Sequence, residues 1–403
     1  MSKKIIGAVA GLAAASLLVA ACGGSTASDA TSAAANVASS AAAIASSAAA
    51  VASSAVAAAS SAAGSAAGSA AAAGGKACVI LPDAASSARW ETADRPFLEE
   101  AFKAAGLESD IQNANGDKAK FATIADGMIA GGCTVMAVVN LDSPSAAAVI
   151  AKADAAGIPV IDYDRLTLGG GAKYYVSFDN VAVGTAEGSG LVKCLNDAGT
   201  TKGNVALLNG SPTDNNATLF KQGYEKVVKD AGYTITADQA VPDWDNTKAG
   251  TIFEQMYTKA NGDFVGVDAA NDGLGGAVIS VLDRNGQAGK IFVTGQDATD
   301  EGLQRVLLGT QCVTVYKAVK KEAEAAAALM VALANGDTAA ADALATGKTA
   351  DSTSGKDVPS VLLTPQPIFP DNVKDVIADG FTTVDKVCTT DALKAACTKY
   401  GVQ

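Results

Sequence analysis

The stretch CTVMAVVNLDSPSAAAVIAKADAAGIPVIDYDR, residues 133–165, decides the fold class. Val135–Val139 is a short, unbroken apolar run, as expected of a strand buried on both faces. Ser145–Ala156 then repeats its apolar positions at helical spacing, and Pro159–Tyr163 returns to a β-branched run. A strand, a helix of about three turns and a second strand form a crossover between parallel strands. The pattern extends upstream through strands at Cys78–Leu81 and Ile111–Gln112 and helices at Phe97–Ala105 and Lys118–Ala130.

Downstream the pattern restarts. Helices are expected at Val183–Leu195, Leu219–Asp230, Lys248–Thr258 and Leu274–Arg284. Strands are expected at Val205–Leu208, around Ile235, and at Phe264–Val267, Ile291–Thr294 and Val313–Tyr316, before a long Ala-rich helix at Lys320–Ala334. The class is therefore α/β, with two doubly wound parallel-sheet (Rossmann-like) lobes and a cleft between them.

Ligands bind such sheets beyond the carboxyl ends of the strands. Polar residues gather at six of those ends: Arg89 beyond Pro82-Asp83, Asp164-Arg165, Asp214-Asn215-Asn216, Asn271-Asp272, Gln296-Asp297, and Lys317. Any one Asp or Asn there also serves as a helix cap. Six from both halves point to a shared site. Gly273-Leu274-Gly275-Gly276 fails as a dinucleotide loop, because Val278 stands where the last glycine belongs. Carboxylates, carboxamides and cations suit a neutral polyol, whose hydroxyls both donate and accept. Trp90 and Trp244, the two tryptophans, sit in polar loops, one in each half, where an indole can cover a sugar's C–H face.

Composition narrows the choices. The 403 residues contain no histidine, which excludes imidazole zinc sites, Ser-His-Asp triads and Cys-His dyads. Without Lys3, Lys4 and Asp29 the chain carries 28 basic against 41 acidic residues, a balance that argues against nucleic acid as a partner. No metal or cofactor is expected.

Lys3 and Lys4 precede an apolar run, Ile5 to Val19, that ends in Val19-Ala20-Ala21-Cys22. This resembles a bacterial lipobox, which implies a signal peptide over 1–21 and a lipid anchor on Cys22. Residues 22–75 form an Ala/Ser-rich tether with no charge from Ala30 to Gly75, and Ser pairs recur every seven residues from Ser39-Ser40 to Ser60-Ser61. Such a spacer holds a domain off the membrane, whether helical or disordered. Six cysteines follow it, and an even number in an oxidising compartment suggests three disulfides, for which 15 connectivities are open. Cys388 and Cys397 would close a short terminal loop, Cys78 and Cys133 both stand at strand starts, and Cys194 and Cys312 remain.

Several motifs resemble the xylose-binding proteins of bacterial ABC sugar importers. They are Arg89-Trp90 with Asp94-Arg95, Ala114-Asn115-Gly116, Tyr163-Asp164-Arg165, Ser177-Phe178-Asp179-Asn180 and Gly210-Ser211-Pro212 with Asp214-Asn215-Asn216-Ala217. Gly295-Gln296-Asp297-Ala298, Thr314-Val315-Tyr316-Lys317 and Lys356-Asp357-Val358-Pro359-Ser360 continue the series, in family order, between about Ala77 and Phe381. The resemblance implies a type I periplasmic-binding fold whose lobes are joined by a three-segment hinge near Phe178–Val181, Tyr316–Val319 and the stretch before Val358. The lobes would comprise 76–179 plus about 318–350, and 180–317 plus about 351–403.

By the same resemblance, Arg89, Arg165 and Asp164 bond a sugar from one lobe, and Asp214, Asn216, Asn271 and Asp297 from the other. Trp90 and Trp244 stack on its faces, and Lys317 joins at a hinge. Ala240 stands where an aromatic sometimes precedes the stacking tryptophan, and Asn209 where a second glycine is common, which leaves the choice among sugars open. The implied protein is a non-enzymatic, monomeric, extracytoplasmic lipoprotein. It would capture D-xylose first, or glucose or a related aldose, and deliver it to an ABC permease and its ATPase. A sensor that presents sugar to a chemoreceptor or sensor kinase is the alternative.

Overall fold

The computed structural model describes residues 75–403. The expected signal peptide, the acylated Cys22 and the tether up to residue 74 lie outside the described residues. The first lobe starts with β1 (Lys76–Leu81), β2 (Glu108–Asn113), β3 (Val135–Val138), β4 (Val160–Tyr163) and β5 (Tyr174–Phe178). The second contains β6 (Asn204–Asn209), β7 (Thr234–Ala240), β8 (Gly266–Ala269), β9 (Phe292–Val293) and β10 (Thr314–Tyr316). The chain then returns to the first lobe for β11 (Gly347–Asp351) and β12 (Lys356–Leu363), and crosses back for β13 (Gln366–Ile368).

The first sheet runs β11-β12-β5-β4-β3-β1-β2, parallel throughout except for the β11–β12 hairpin. Alternate residues of its strands feed two cores: Val79, Leu81, Val135 and Ile161 on one face, Ile80, Met136, Val138 and Val160 on the other. The second sheet is parallel, in the order β7-β6-β8-β9. The antiparallel β10–β13 pair extends it, since Cys312 N donates to Val293 O (2.8 Å) and Asp297 N to Val315 O (2.9 Å). Three segments therefore cross between the lobes, after β5, after β10 and after β12.

The last crossing differs from the expected one. Ser360–Leu363 pairs in parallel register with Tyr175–Phe178, so residues 351–363 belong to the first lobe and the chain crosses at about 364 rather than before Val358. Strand β11 lies at the sheet edge with β12 beside it, both are half exposed, and their alternation is too weak to read as a pair. Strand β5 was also unexpected, hidden behind the Gly169-Gly170-Gly171 turn. The helix Asp300–Leu308 and the C-terminal helices Val373–Ala378, Val384–Val387 and Asp391–Tyr400 complete the second lobe.

The cysteines pair as expected: Cys78–Cys133, Cys194–Cys312 and Cys388–Cys397, with Cα atoms 5.9, 6.3 and 6.3 Å apart. The first links adjacent strand ends, because β1 lies beside β3.

Candidate functional site

All ten sequence-selected residues, Arg89, Trp90, Asp164, Arg165, Asp214, Asn216, Trp244, Asn271, Asp297 and Lys317, line one cavity between the lobes. It is a small cavity walled by both lobes. Each of the ten is at most 7% exposed, so the cleft is closed. Ser86, Ser87, Phe220 and Gln296 complete the lining. Phe220 follows Asn216 by one helical turn, a spacing that could have identified it. Ser86 and Ser87 lie in a loop of small residues that carries no such signal.

Capping and site-building use the same side chains. Asp214 Oδ1 caps the helix Asn215–Asp230 through Asn216 N (2.9 Å), while its Oδ2 accepts from Trp244 Nε1 (3.1 Å) and forms an ion pair with Arg165 Nε at 3.1 Å. Asn271 Oδ1 caps Leu274 N (2.8 Å), and its amide reaches across to Ser86 O (3.4 Å). Asp272 has a purely structural part. Its carboxylate accepts from Thr299 N (2.9 Å), Gln311 Nε2 (2.6 Å) and Thr314 Oγ1 (3.0 Å), which fixes the loop that presents Gln296 and Asp297.

The charges in the lining cancel in three pairs. Arg89 Nη1 lies 3.0 Å from Asp164 Oδ2, Arg165 Nε 3.1 Å from Asp214 Oδ2, and Lys317 Nζ 2.9 Å from Asp297 Oδ1. Burial alone would raise the pKa of Asp164, but Arg89, Lys317 and Arg165 hold it below the ordinary carboxylate value. Burial outweighs Arg165 at Asp214, whose pKa is raised. Burial opposes the charge on Lys317, yet Asp297 keeps its pKa above the usual lysine value. Arg89 Nη1, Gln296 Oε1 and Asp297 Oδ1 are buried without a directed hydrogen-bond partner in the protein. These atoms can serve a ligand that both donates and accepts.

Both indoles are pinned. Trp90 Nε1 donates to Ser86 Oγ (3.2 Å), and its ring packs against the guanidinium carbons of Arg89 (4.5 Å) and Arg165 (5.4 Å). Trp244 lies over Gly210, where a β-carbon would come within 2.0 Å of the ring. Trp244 (φ 54°), Asp164 (φ 61°) and Asp297 (φ 92°) all occupy left-handed backbone conformations. Such strain in non-glycine residues collects where a structure holds side chains for function.

Below the cavity, in the second lobe, Glu187 and Asp268 are fully buried, and both Glu187 oxygens lack a partner. Burial pushes Asp268 up to about 8, and burial with the charge of Asp268 pushes Glu187 well above the ordinary range. An unfolded chain releases these protons near pH 4, whereas the folded protein keeps them. Stability is therefore full below about pH 4 and falls as pH rises through about 8. The melting temperature should drop between pH 6 and 9, and Glu187→Gln should flatten that slope. A melting temperature that climbs with pH would contradict this.

A pair of parallel-sheet lobes around an electroneutral, hydroxyl-suited cavity defines a ligand-binding receptor. Residues 78–338 match the periplasmic binding protein domain family. The D-xylose-binding periplasmic protein of Escherichia coli is 36% identical over 298 residues, 73% of this chain and 87% of its own. Its namesake from Haemophilus influenzae is 33% identical over 305 residues, 74% of this chain and 88% of its own. Among solved structures, a carbohydrate transporter solute-binding protein from Chloroflexus aurantiacus in complex with D-glucose superposes with a TM-score of 0.68. It is 28% identical and covers 77% of this chain and 97% of its own. The chain belongs to the periplasmic binding protein family. Within it, the chain is an extracytoplasmic type I receptor similar to the D-xylose-binding proteins, and not an enzyme.

Proposed function

We propose that the protein is a solute-binding lipoprotein of an ABC importer, anchored through Cys22 to the outer face of the cell membrane. It captures one aldose, D-xylose first and D-glucose or a related sugar next, and as a monomer delivers it to a permease and its ATPase. The observation that carries this reading is the lining of the cavity: three internally neutralised ion pairs and two fixed indoles surround one polar space between the lobes. A charged ligand would leave one of these pairs unbalanced, whereas sugar hydroxyls can share each cation and carboxylate. The sugar bridges the lobes, and its extra contacts favour the closed form that docks on the permease. The bacterial relatives bearing the D-xylose name support the choice of sugar class, and the D-glucose complex keeps a hexose in view.

Thermal unfolding against a panel of pentoses and hexoses tests this. At a ligand concentration 100 times Kd, binding adds about 2.7 kcal/mol of stability. D-xylose or D-glucose should therefore raise the melting temperature by several degrees, and sugar acids should not. No shift with any neutral aldose would overturn the proposal.

A further inference from the structure

Arg89 is held from behind by acids that do not line the cavity. Its Nε and Nη2 donate to Asp94 Oδ2 (2.9 Å) and Oδ1 (2.7 Å), and Nη2 also to Glu322 Oε2 (2.8 Å). Asp94 in turn accepts from the Tyr163 hydroxyl (2.8 Å). A π-turn over Trp90–Asp94 lets Arg89 meet Asp94, five residues on. Asp94 and Glu322 are both fully buried. With two edges of the guanidinium occupied, Nη1 is the end turned to the cavity and to Asp164.

Glu322 stands on the first turn of the helix Val319–Ala334, which begins just after the second crossing. Five residues earlier, Lys317 pairs with Asp297 of the other lobe. The groups that face the Glu322 carboxyl are Arg89, Asp94, Asp164 and Lys317, with the hydroxyls of Tyr163 and Tyr175 nearby. Three carboxyls around one guanidinium cannot all stay charged at low cost in a buried space. Burial first, and then Asp164, push the Glu322 pKa well above the ordinary carboxyl range, which favours its neutral form beside Arg89.

We propose that Glu322 is a positioning residue of the sugar site: together with Asp94 it clamps the Arg89 guanidinium so that Nη1 is presented to the ligand, and it ties that donor to the helix that starts at the hinge. This rests on the sugar-receptor reading. A free arginine would spend binding energy on its own ordering, whereas a clamped one does not.

Calorimetry with the best-binding aldose, alongside thermal unfolding, tests it in Glu322→Gln and Glu322→Leu. Glutamine keeps an acceptor oxygen in the same place and should hold affinity within about threefold of the parent. Leucine removes the acceptor and should weaken binding by about tenfold or more, as expected when a hydrogen bond to a charged group is lost. Its melting temperature should fall, because removing one partner of a buried pair leaves Arg89 with fewer acceptors. In an Arg89→Gln background the leucine change should alter affinity by less than about twofold, since its effect passes through Arg89. If the leucine variant does not fold, Glu322→Met takes its place. Parent-like affinity in the apolar variant, or an undiminished loss without Arg89, overturns the role of Glu322 and leaves the receptor reading intact. A parent that binds no aldose overturns both.

Discussion

Trp244→Ala should weaken aldose binding by about 100-fold or more, while the circular dichroism of the protein stays that of a folded α/β chain. A buried indole contributes about 150–250 Å² of contact, and tryptophans of this kind dominate binding energies. A 100-fold loss corresponds to about 2.7 kcal/mol, well within what such a plate supplies. The side chain also donates to Asp214 Oδ2 (3.1 Å), so its removal loosens the carboxylate that pairs with Arg165. The fold should survive because Trp244 lies in the short turn Pro242–Trp244 beyond the sheet, with Phe220 6.5 Å away in edge contact rather than stacked beneath it. Calorimetry on the folded variant is the measurement, and affinity within threefold of the parent would defeat the role assigned to this ring.

The second large effect falls on stability. The helices Asn180–Asp197 and Asn215–Asp230 pack backbone to backbone through Gly184 and Gly223. A β-carbon on Gly184 would stand 1.9 Å from Phe220 O, and one on Gly223 2.4 Å from Val181 O. These are main-chain atoms, so no rotamer change relieves the clash and the helices must separate. Overfilling of cores costs about 1–3 kcal/mol and occasionally more. Gly184→Ala belongs at the upper end, about 3 kcal/mol, or roughly 6–12 °C in melting temperature. Gly127→Ala is the matching control: a β-carbon there meets nothing within 4 Å, and alanine favours its helix. Equal melting temperatures for the two variants would refute the close-packing account. Because the second helix carries Asn216 and Phe220, Gly184→Ala should weaken sugar binding as well.

The parallel architecture was legible because buried strands such as Val135–Val138 and Val205–Leu208 are dense apolar runs between periodic helices. The ten lining residues were legible for a related reason: strand ends converge on one cleft, so polar residues there share a destination. Residues whose neighbours come from distant sequence were not legible. Glu322 sits in an alanine-rich helix and looks like part of a solvated face. Only the fold brings it to Arg89, 233 residues away, whereas Asp94 stands five residues on and is legible only as part of a motif. The edge strand β11 and its neighbour β12 were missed because half-exposed strands need little apolar content. Tyr174–Phe178 escapes notice as a strand because a glycine-rich turn precedes it, and only its last two residues enter the Ser177-Phe178-Asp179-Asn180 motif.

The three disulfides divide the molecule mechanically. Cys78–Cys133 lies within one lobe, Cys194–Cys312 and Cys388–Cys397 within the other, and among the described residues none spans the cleft. Oxidation therefore stiffens each half as a separate body and places no covalent limit on the angle between them. Outside the cell, where thiols do not stay reduced, the molecule can be fully cross-linked and still keep one soft coordinate. A pair of dyes attached to opposite lobes would follow that coordinate as a gauge of sugar concentration.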